Sequence, residues 1–380
     1  MTMSSALTED SECYLYTHII TGIASIVGHN DSNAEKEYDP YSSTMVACLF
    51  FIMLTFIVST LSKNYSQVDK LWSITPVIYS WMCITPVIYS WMCITDTRTL
   101  IMAILATIWG GRLTYNFYRR GGYEWPPWSG DEDYRWAYVQ KGEFMMMLTN
   151  PIVWNIFNFV FISFYQMVLL WLIATPSLVA YTMAHSSSKP QDIDCETPHG
   201  VYAPYNPIGL DGIATLLFLL FVLMESIADN QQYAFQTEKY RQKNAGEKLT
   251  GYYADGFCQS GLYAVLRKPN YAAEQSIWIV FYLFGVASMN GAVENDQAEI
   301  YNNKLKLWWN WTALGWILLV SLFYSSGKLT EQITLKKYPL YKRYQKRVGM
   351  YIPFVGPFIW KMLGNSGDDN DDANTAKKQT

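Results

Sequence analysis

The stretch GLYAVLRKPNYAAEQSIW, residues 261–278, carries a basic, soluble-looking loop into an apolar helix with an acid near its start. Pro269 stops whatever precedes it, and Asn270 is well placed as the N-cap of a helix beginning at Tyr271. Tyr271, Glu274 and Trp278 then share one face of that helix. Arg267 and Lys268 stand just outside its start, where backbone N–H groups favour an anion. A phosphate-bearing ligand suits that corner at a membrane surface. Anchoring of the helix at the lipid headgroups explains the same basic pair.

Outward from this stretch, the 380 residues alternate between long apolar runs and polar loops, so the mean hydropathy near zero conceals strong segregation. About 20 residues of helix cross a bilayer, and the runs predict seven spans: 44–61, 73–95, 99–117, 151–183, 211–228, 272–289 and 308–324. The fourth is long enough for a tilted helix or for a span with a re-entrant piece. The expected fold is an all-α polytopic transmembrane bundle of about seven spans. It divides into a polar segment (1–43), a membrane domain (44–353) and a disordered tail (354–380). The 15 Trp and 29 Tyr suit a protein with two membrane interfaces. The six Cys show no metal-ligand spacing or disulfide framework, and no basic region precedes an apolar core as in a cleaved signal peptide.

ITPVIYSWMC at 74–83 recurs unchanged at 84–93. A ten-residue step turns a helix to leave the copies about 80° apart. Identical copies facing different ways read as a duplication or an assembly error rather than a functional repeat.

With the tail in the cytosol, seven spans put most of the 28 Lys and Arg on the cytosolic face. Lys377 and Lys378 near the C-terminus resemble a dilysine retrieval signal, which predicts the endoplasmic reticulum membrane. Asn30-Asp31-Ser32 is a glycosylation acceptor pattern by sequence alone.

Four clusters then fall on the cytosolic face. Arg112 lies within an apolar span with Asn116 one turn on, and either faces a partner or snorkels to the interface. Asp69 and Glu274 are the available counter-charges. The second cluster is DEDYRW, 131–136, after a Gly121-Gly122 turn. The third leaves the fifth span, with Gln232, Phe235 and Lys239 on one helical face. The fourth is a stripe of Tyr338, Tyr341, Tyr344 and Val348 beside basic residues, ordinarily explained as lying on an anionic leaflet.

Together the pieces VDKLWS (68–73), WGGRLTYNFYRRGGY (109–123), EDYRW (132–136), ADNQQYAFQTEK (228–239), GLYAVLRKPNYAAEQSIW and KYPLYKRYQKRVGMYIP (337–353) resemble the steroid 5α-reductase-related membrane family labelled DUF1295. The family usually has His where this chain has Lys268, which keeps a cation but removes an imidazole. The resemblance implies an NADPH-dependent reductase that saturates a C=C bond in a sterol-like or other lipid enone. Arg112, Asn116, Arg120, Arg135, Lys239, Arg267, Asn270, Tyr271, Glu274, Tyr341 and Tyr344 would then line a cofactor cavity on the cytosolic face. Guanidinium and ammonium groups suit its phosphates, and Asn or Glu its nicotinamide.

Tyr115 and Tyr134 are nominated as acids for the enone, with Glu274 a third catalytic candidate. The Gln-Glu pair that marks the steroid-carbonyl site in 5α-reductases has no match. No GxGxxG fingerprint is present, so a nicotinamide would bind among helices. The expected partners are the membrane and a lipid or sterol-like substrate, with neither nucleic acid nor metal. An S-adenosylmethionine-dependent membrane methyltransferase of the isoprenylcysteine or phospholipid type shares a similar corner and tyrosine-rich tail. A non-catalytic lipid-binding protein is the third reading, suggested by the missing His and the duplicated decapeptide.

Overall fold

A computed structural model describes residues 39–84, 97–185, 205–295 and 308–353. Most of the second decapeptide copy, the Asn30 acceptor, the segment 1–38 and the tail from 354 lie outside the described residues. Regular structure among those described is helical, apart from an isolated parallel bridge between Leu266 and Gly349. The helices are α1 (Pro40–Ser62), α2 (Gln67–Trp72), α3 (Thr75–Met82), α4 (Thr97–Tyr118), α5 (Tyr134–Gln140), α6 (Pro151–Phe157), α7 (Gln166–Ala174), α8 (Pro176–His185), α9 (Leu210–Asn244), α10 (Tyr252–Asp255), α11 (Pro269–Asn295), α12 (Ala313–Lys337) and α13 (Tyr341–Arg347).

Five described helical stretches are long and apolar enough to cross a membrane: Pro40–Ser62, Pro151–Ala184, Leu210–Asn244, Pro269–Met289 and Ala313–Lys337. Two of the seven expected spans are not among them. α4 is a full 22-residue helix, but Arg98 and Arg112 within it lower its hydropathy. The run at 73–95 continues beyond the described residues after α3.

The described residues form two compact units. One contains the chain up to Leu216 together with Ile279–Leu319, and the other Leu217–Trp278 together with the chain from Val320.

In the first unit, Asp39 caps α1 by accepting from the N–H groups of Tyr41 and Ser42, and Pro40 follows at the position where a missing N–H is harmless. Thr44, Cys48, Ile52, Thr55 and Ser59 form its buried stripe, while Leu49, Phe50, Met53, Leu54 and Ile57 are exposed. That division suits a helix with one face on protein and the other on lipid.

The fourth apolar region, Pro151–Ala184, is helical apart from a turn at Thr175, where Pro176 opens α8. It widens into a π segment at Asn158–Tyr165. There Asn158 donates to the hydroxyls of Ser59 at 3.0 Å and Thr60 at 3.2 Å, satisfying a fully buried amide. At the start of α4, Arg98 meets Asp211 through Nε–Oδ1 and Nη2–Oδ2 contacts of 2.8 Å each, with both side chains 2% exposed or less.

In the second unit, α11 begins at Pro269, two residues before the expected start. Pro269 therefore occupies the helix's first position, and Asn270 lies inside the first turn. Its side chain donates to Asp229 on α9 at 3.4 Å instead of capping. The tail stripe is also corrected. Tyr341 and Tyr344 are buried against Phe257, with ring centroids 4.9 and 5.4 Å away, so these rings form core rather than a leaflet-facing surface.

Candidate functional site

In the first unit, a clasp joins the chain at 64–73 to the loop after α4. α4 ends in a turn where Gly121 has a φ of +84°, which glycine adopts without strain. Asn64 donates to the Gly130 carbonyl at 3.0 Å, Gln67 to Trp128 at 2.9 Å, and the Tyr65 N–H to Glu132 at 2.7 Å. The Lys70 ammonium is buried on the carbonyls of Pro127, at 2.9 Å, and Ser129. Tyr123 returns a hydrogen bond to the Lys70 carbonyl at 2.7 Å. Burial holds the lysine below its ordinary pKa, and the nearby Glu124 acts the other way.

Asp133 caps α5 and grips Arg135 with two contacts, Oδ1–Nε at 2.8 Å and Oδ2–Nη2 at 2.7 Å. Burial alone would raise the Asp133 carboxyl, but Arg135, with help from Arg120, holds it low. Asp69 differs. Burial and the adjacent Asp133 push its carboxyl above the usual range, although Arg135, Ser66 and Trp136 oppose them. Its Oδ2 is buried without a hydrogen bond. The charges bearing on Asp69 are thus those of the DEDYRW cluster.

Arg112 is half-buried within α4. Asn116, buried one turn on, accepts from Arg119 Nε at 3.0 Å and Nη2 at 2.7 Å. Arg119 also lies 5.6 Å from the Tyr115 ring centroid. Tyr115 is 63% exposed and Tyr134 58%. Arg120 is exposed as well.

In the second unit, the centre is Glu331 on α12. Arg267 contacts it through Nε at 2.6 Å and Nη2 at 3.2 Å, Tyr341 donates at 3.1 Å and Gln345 at 2.9 Å. Arg267 Nη1 donates to the carbonyls of Gln345, at 3.0 Å, and Val348. Its backbone N–H and that of Lys268 reach Gly349 and Met350 at 2.8 and 3.1 Å. The guanidinium expected to meet a cofactor thus ties residues 345–350 to the start of α11. Tyr344 donates to the Tyr263 carbonyl. Burial raises the phenol pKa of Tyr341 and Tyr344, and Glu331 adds to it.

Asn270 and Glu274 on the first turns of α11 and Asp229 on α9 are the other polar candidates of this unit. Asp229 and Glu274 are each 3% exposed, and Glu274 accepts from the Trp278 indole at 3.0 Å. Tyr271 stacks edge-on to Phe323 at 4.9 Å, with Lys268 5.6 Å from its ring centroid. Lys239 is buried and donates to the Gly256 carbonyl at 3.1 Å. Sequence reading missed Glu331, Lys70 and Asp211, whose long-range partners leave no periodic signal. Among the described residues, no three His, Cys, Asp or Glu gather as metal ligands.

Residues 55–348 match the family described as a protein of unknown function, DUF1295. An uncharacterized protein of Schizosaccharomyces pombe, C594.04c, is 31% identical over 335 residues, covering 84% of each chain. No solved structure matches.

Proposed function

The chain belongs to the DUF1295 family, and from that premise we propose that it is an NADPH-dependent membrane reductase saturating a C=C bond in a sterol-like or other lipid enone. The observation that carries the reading is the contact of half-buried Asn270 with buried Asp229, one helical turn from buried Glu274. Polar side chains buried in apolar helices are costly, and a simple membrane span has no use for them. The 3.4 Å contact is long for a hydrogen bond, so the Asn270 amide can exchange it for a ligand's amide or ribose at little loss. These residues fit a nicotinamide nucleoside; Arg267 fits its phosphates poorly because both guanidinium edges are engaged.

NADPH, when bound, supplies a hydride. Reduction of an enone also needs a proton for the other carbon and a donor that polarises the carbonyl. In the second unit, Glu274 and Asn270 orient the ligand, and Lys239 and Tyr271 are proposed cofactor contacts. The family resemblance alone nominates the first unit's Arg112, Asn116, Arg120 and Arg135 as cofactor contacts and Tyr115 and Tyr134 as donors. Arg267, Tyr341 and Tyr344 act one step back, by positioning the backbone around α11. The proposed setting is the endoplasmic reticulum membrane with the C-terminus in the cytosol.

Binding of NADPH, NADH and S-adenosylmethionine to detergent-solubilised protein tests the reading, with Asn270→Ala alongside. NADPH binding weakened by the substitution supports it. Binding of S-adenosylmethionine alone selects the methyltransferase, and binding of none in folded protein selects the lipid-binding reading.

A further inference from the structure

We propose that Lys239, Lys243 and Lys337 form a binding site for a phosphate-bearing anion. Lys239 is only 8% exposed. Its ammonium donates to the Gly256 carbonyl at 3.1 Å and otherwise faces rings, with the centroids of Tyr240, Phe235 and Tyr338 at 5.3, 5.5 and 5.8 Å. The charges acting on it are those of Lys337 and Lys243, both positive. Burying an ammonium is costly without an opposite charge, and two like charges add to that cost.

The nearest carboxylate in sequence does not relieve it. Glu238 instead receives Arg241 through two contacts of 2.9 Å and Gln242 through one of 2.8 Å. Lys243 follows Lys239 by one helical turn on α9, and such residues are neighbours on a helix surface. Lys337 lies 5.5 Å from the same Tyr338 ring that Lys239 faces. That ring is itself fixed against Gly256, where a Cβ would stand 2.1 Å from Tyr338 Cε1 and the φ is +87°. Lys243 and Lys337 are exposed, so an anion can reach them from solvent or a headgroup layer while Lys239 supplies the buried charge. Three ammonium groups with one carbonyl acceptor suit a phosphate monoester, whose oxygens accept several charge-assisted hydrogen bonds.

Two sources present that chemistry: the 2′-phosphate of a dinucleotide and the headgroup of an anionic lipid. The first rests on the reductase reading; the second does not. The test uses full-length protein in phosphatidylcholine nanodiscs, with adenosine 2′,5′-bisphosphate against adenosine as soluble probes, and nanodiscs with or without phosphatidate as the lipid probe. Lys243→Gln and Lys337→Gln alter exposed side chains and keep the fold; Lys239→Met removes the buried charge.

Each exposed substitution is expected to weaken the bound probe about tenfold, the value of one charge-assisted contact. Binding of the bisphosphate but not adenosine identifies a nucleotide phosphate, and stabilisation by phosphatidate alone identifies a lipid. Binding of neither, or binding unchanged in both glutamine variants, overturns the site. If NADPH and NADH bind equally while both phosphate probes fail, the site falls and the reductase reading survives. If phosphatidate binds and no dinucleotide does, the reverse holds.

Discussion

Arg267 and Glu331, 64 residues apart, form a two-pronged ion pair with Nε–Oε1 at 2.6 Å and Nη2–Oε2 at 3.2 Å. The side chains are 11% and 9% exposed, and the remaining guanidinium edge holds the carbonyls of Gln345 and Val348. The motif arginine that a sequence comparison would assign to a ligand is thus part of the framework.

Removing one partner leaves the other charge buried, which typically costs about 3–5 kcal/mol. Arg267→Ala and Glu331→Ala should each lower the melting temperature of the solubilised protein by a similar amount. The double variant should lose much less than the sum, since each single change already breaks the pair. Additive losses would show that the two residues act separately.

Asp69 and Asp133 carry opposite pH signatures. Burial, reinforced by Asp133, raises the Asp69 carboxyl above its unfolded value of about 3.9. The folded chain therefore holds that proton more tightly, and its contribution is lost as pH rises through the raised value. Burial would raise Asp133 too, but Arg135 outweighs it, so its contribution is present above about 3.9 and lost as pH falls through the lowered value. Asp69→Asn should raise the melting temperature at neutral pH and flatten the descending limb, leaving the acid limb intact. Melting curves across pH for both proteins measure this; an unchanged neutral limb would contradict the Asp69 assignment.

The adjacent glycines of α4 differ sharply in their surroundings. A Cβ on Gly110 would stand 2.5 Å from the Ser73 carbonyl oxygen and 2.6 Å from Val77 Cγ2, whereas one on Gly111 meets nothing within 4 Å. Gly110→Ala should destabilise by about 1–3 kcal/mol through overpacking. Gly111→Ala should be neutral or stabilise by up to about 1 kcal/mol, because alanine loses less backbone entropy in a helix. Paired thermal melts decide it, and equal effects at the two positions would exclude the close approach of α4 to Ser73.

How much was legible beforehand follows from the range of the interactions involved. The apolar run at 44–61 announces α1 because hydropathy is local, while the Asp39 cap and the start at Pro40 went unread within the polar segment. The Gly121 turn was visible for the same reason, whereas the Asp133 cap was not read from the sequence. Arg98 and Asp211 were not, although their pair is the most buried ion pair among those described above. Each sits at the edge of an apolar run, where a charge ordinarily reads as a boundary marker, and only the fold brings them together. Asn270 was legible as a special residue but not for its bond, since Pro269 opening α11 moves its side chain from a cap toward Asp229.

That bond separates two kinds of cofactor contact. If Asn270 serves the nicotinamide end of a dinucleotide, Asn270→Ala should weaken NADPH and NADH alike, by about tenfold for one lost hydrogen bond. A contact to the 2′-phosphate would instead change NADPH alone, because NADH lacks that group. Asn270→Asp keeps the size of the side chain but opposes Asp229 with a second carboxyl, and should weaken both cofactors at least as much as alanine. Titrations of both cofactors against the wild type and the two variants measure the split, with thermal melts confirming that each variant is folded. A loss confined to NADPH would move Asn270 to the phosphate end, and unchanged affinity for both would remove it from the cofactor site.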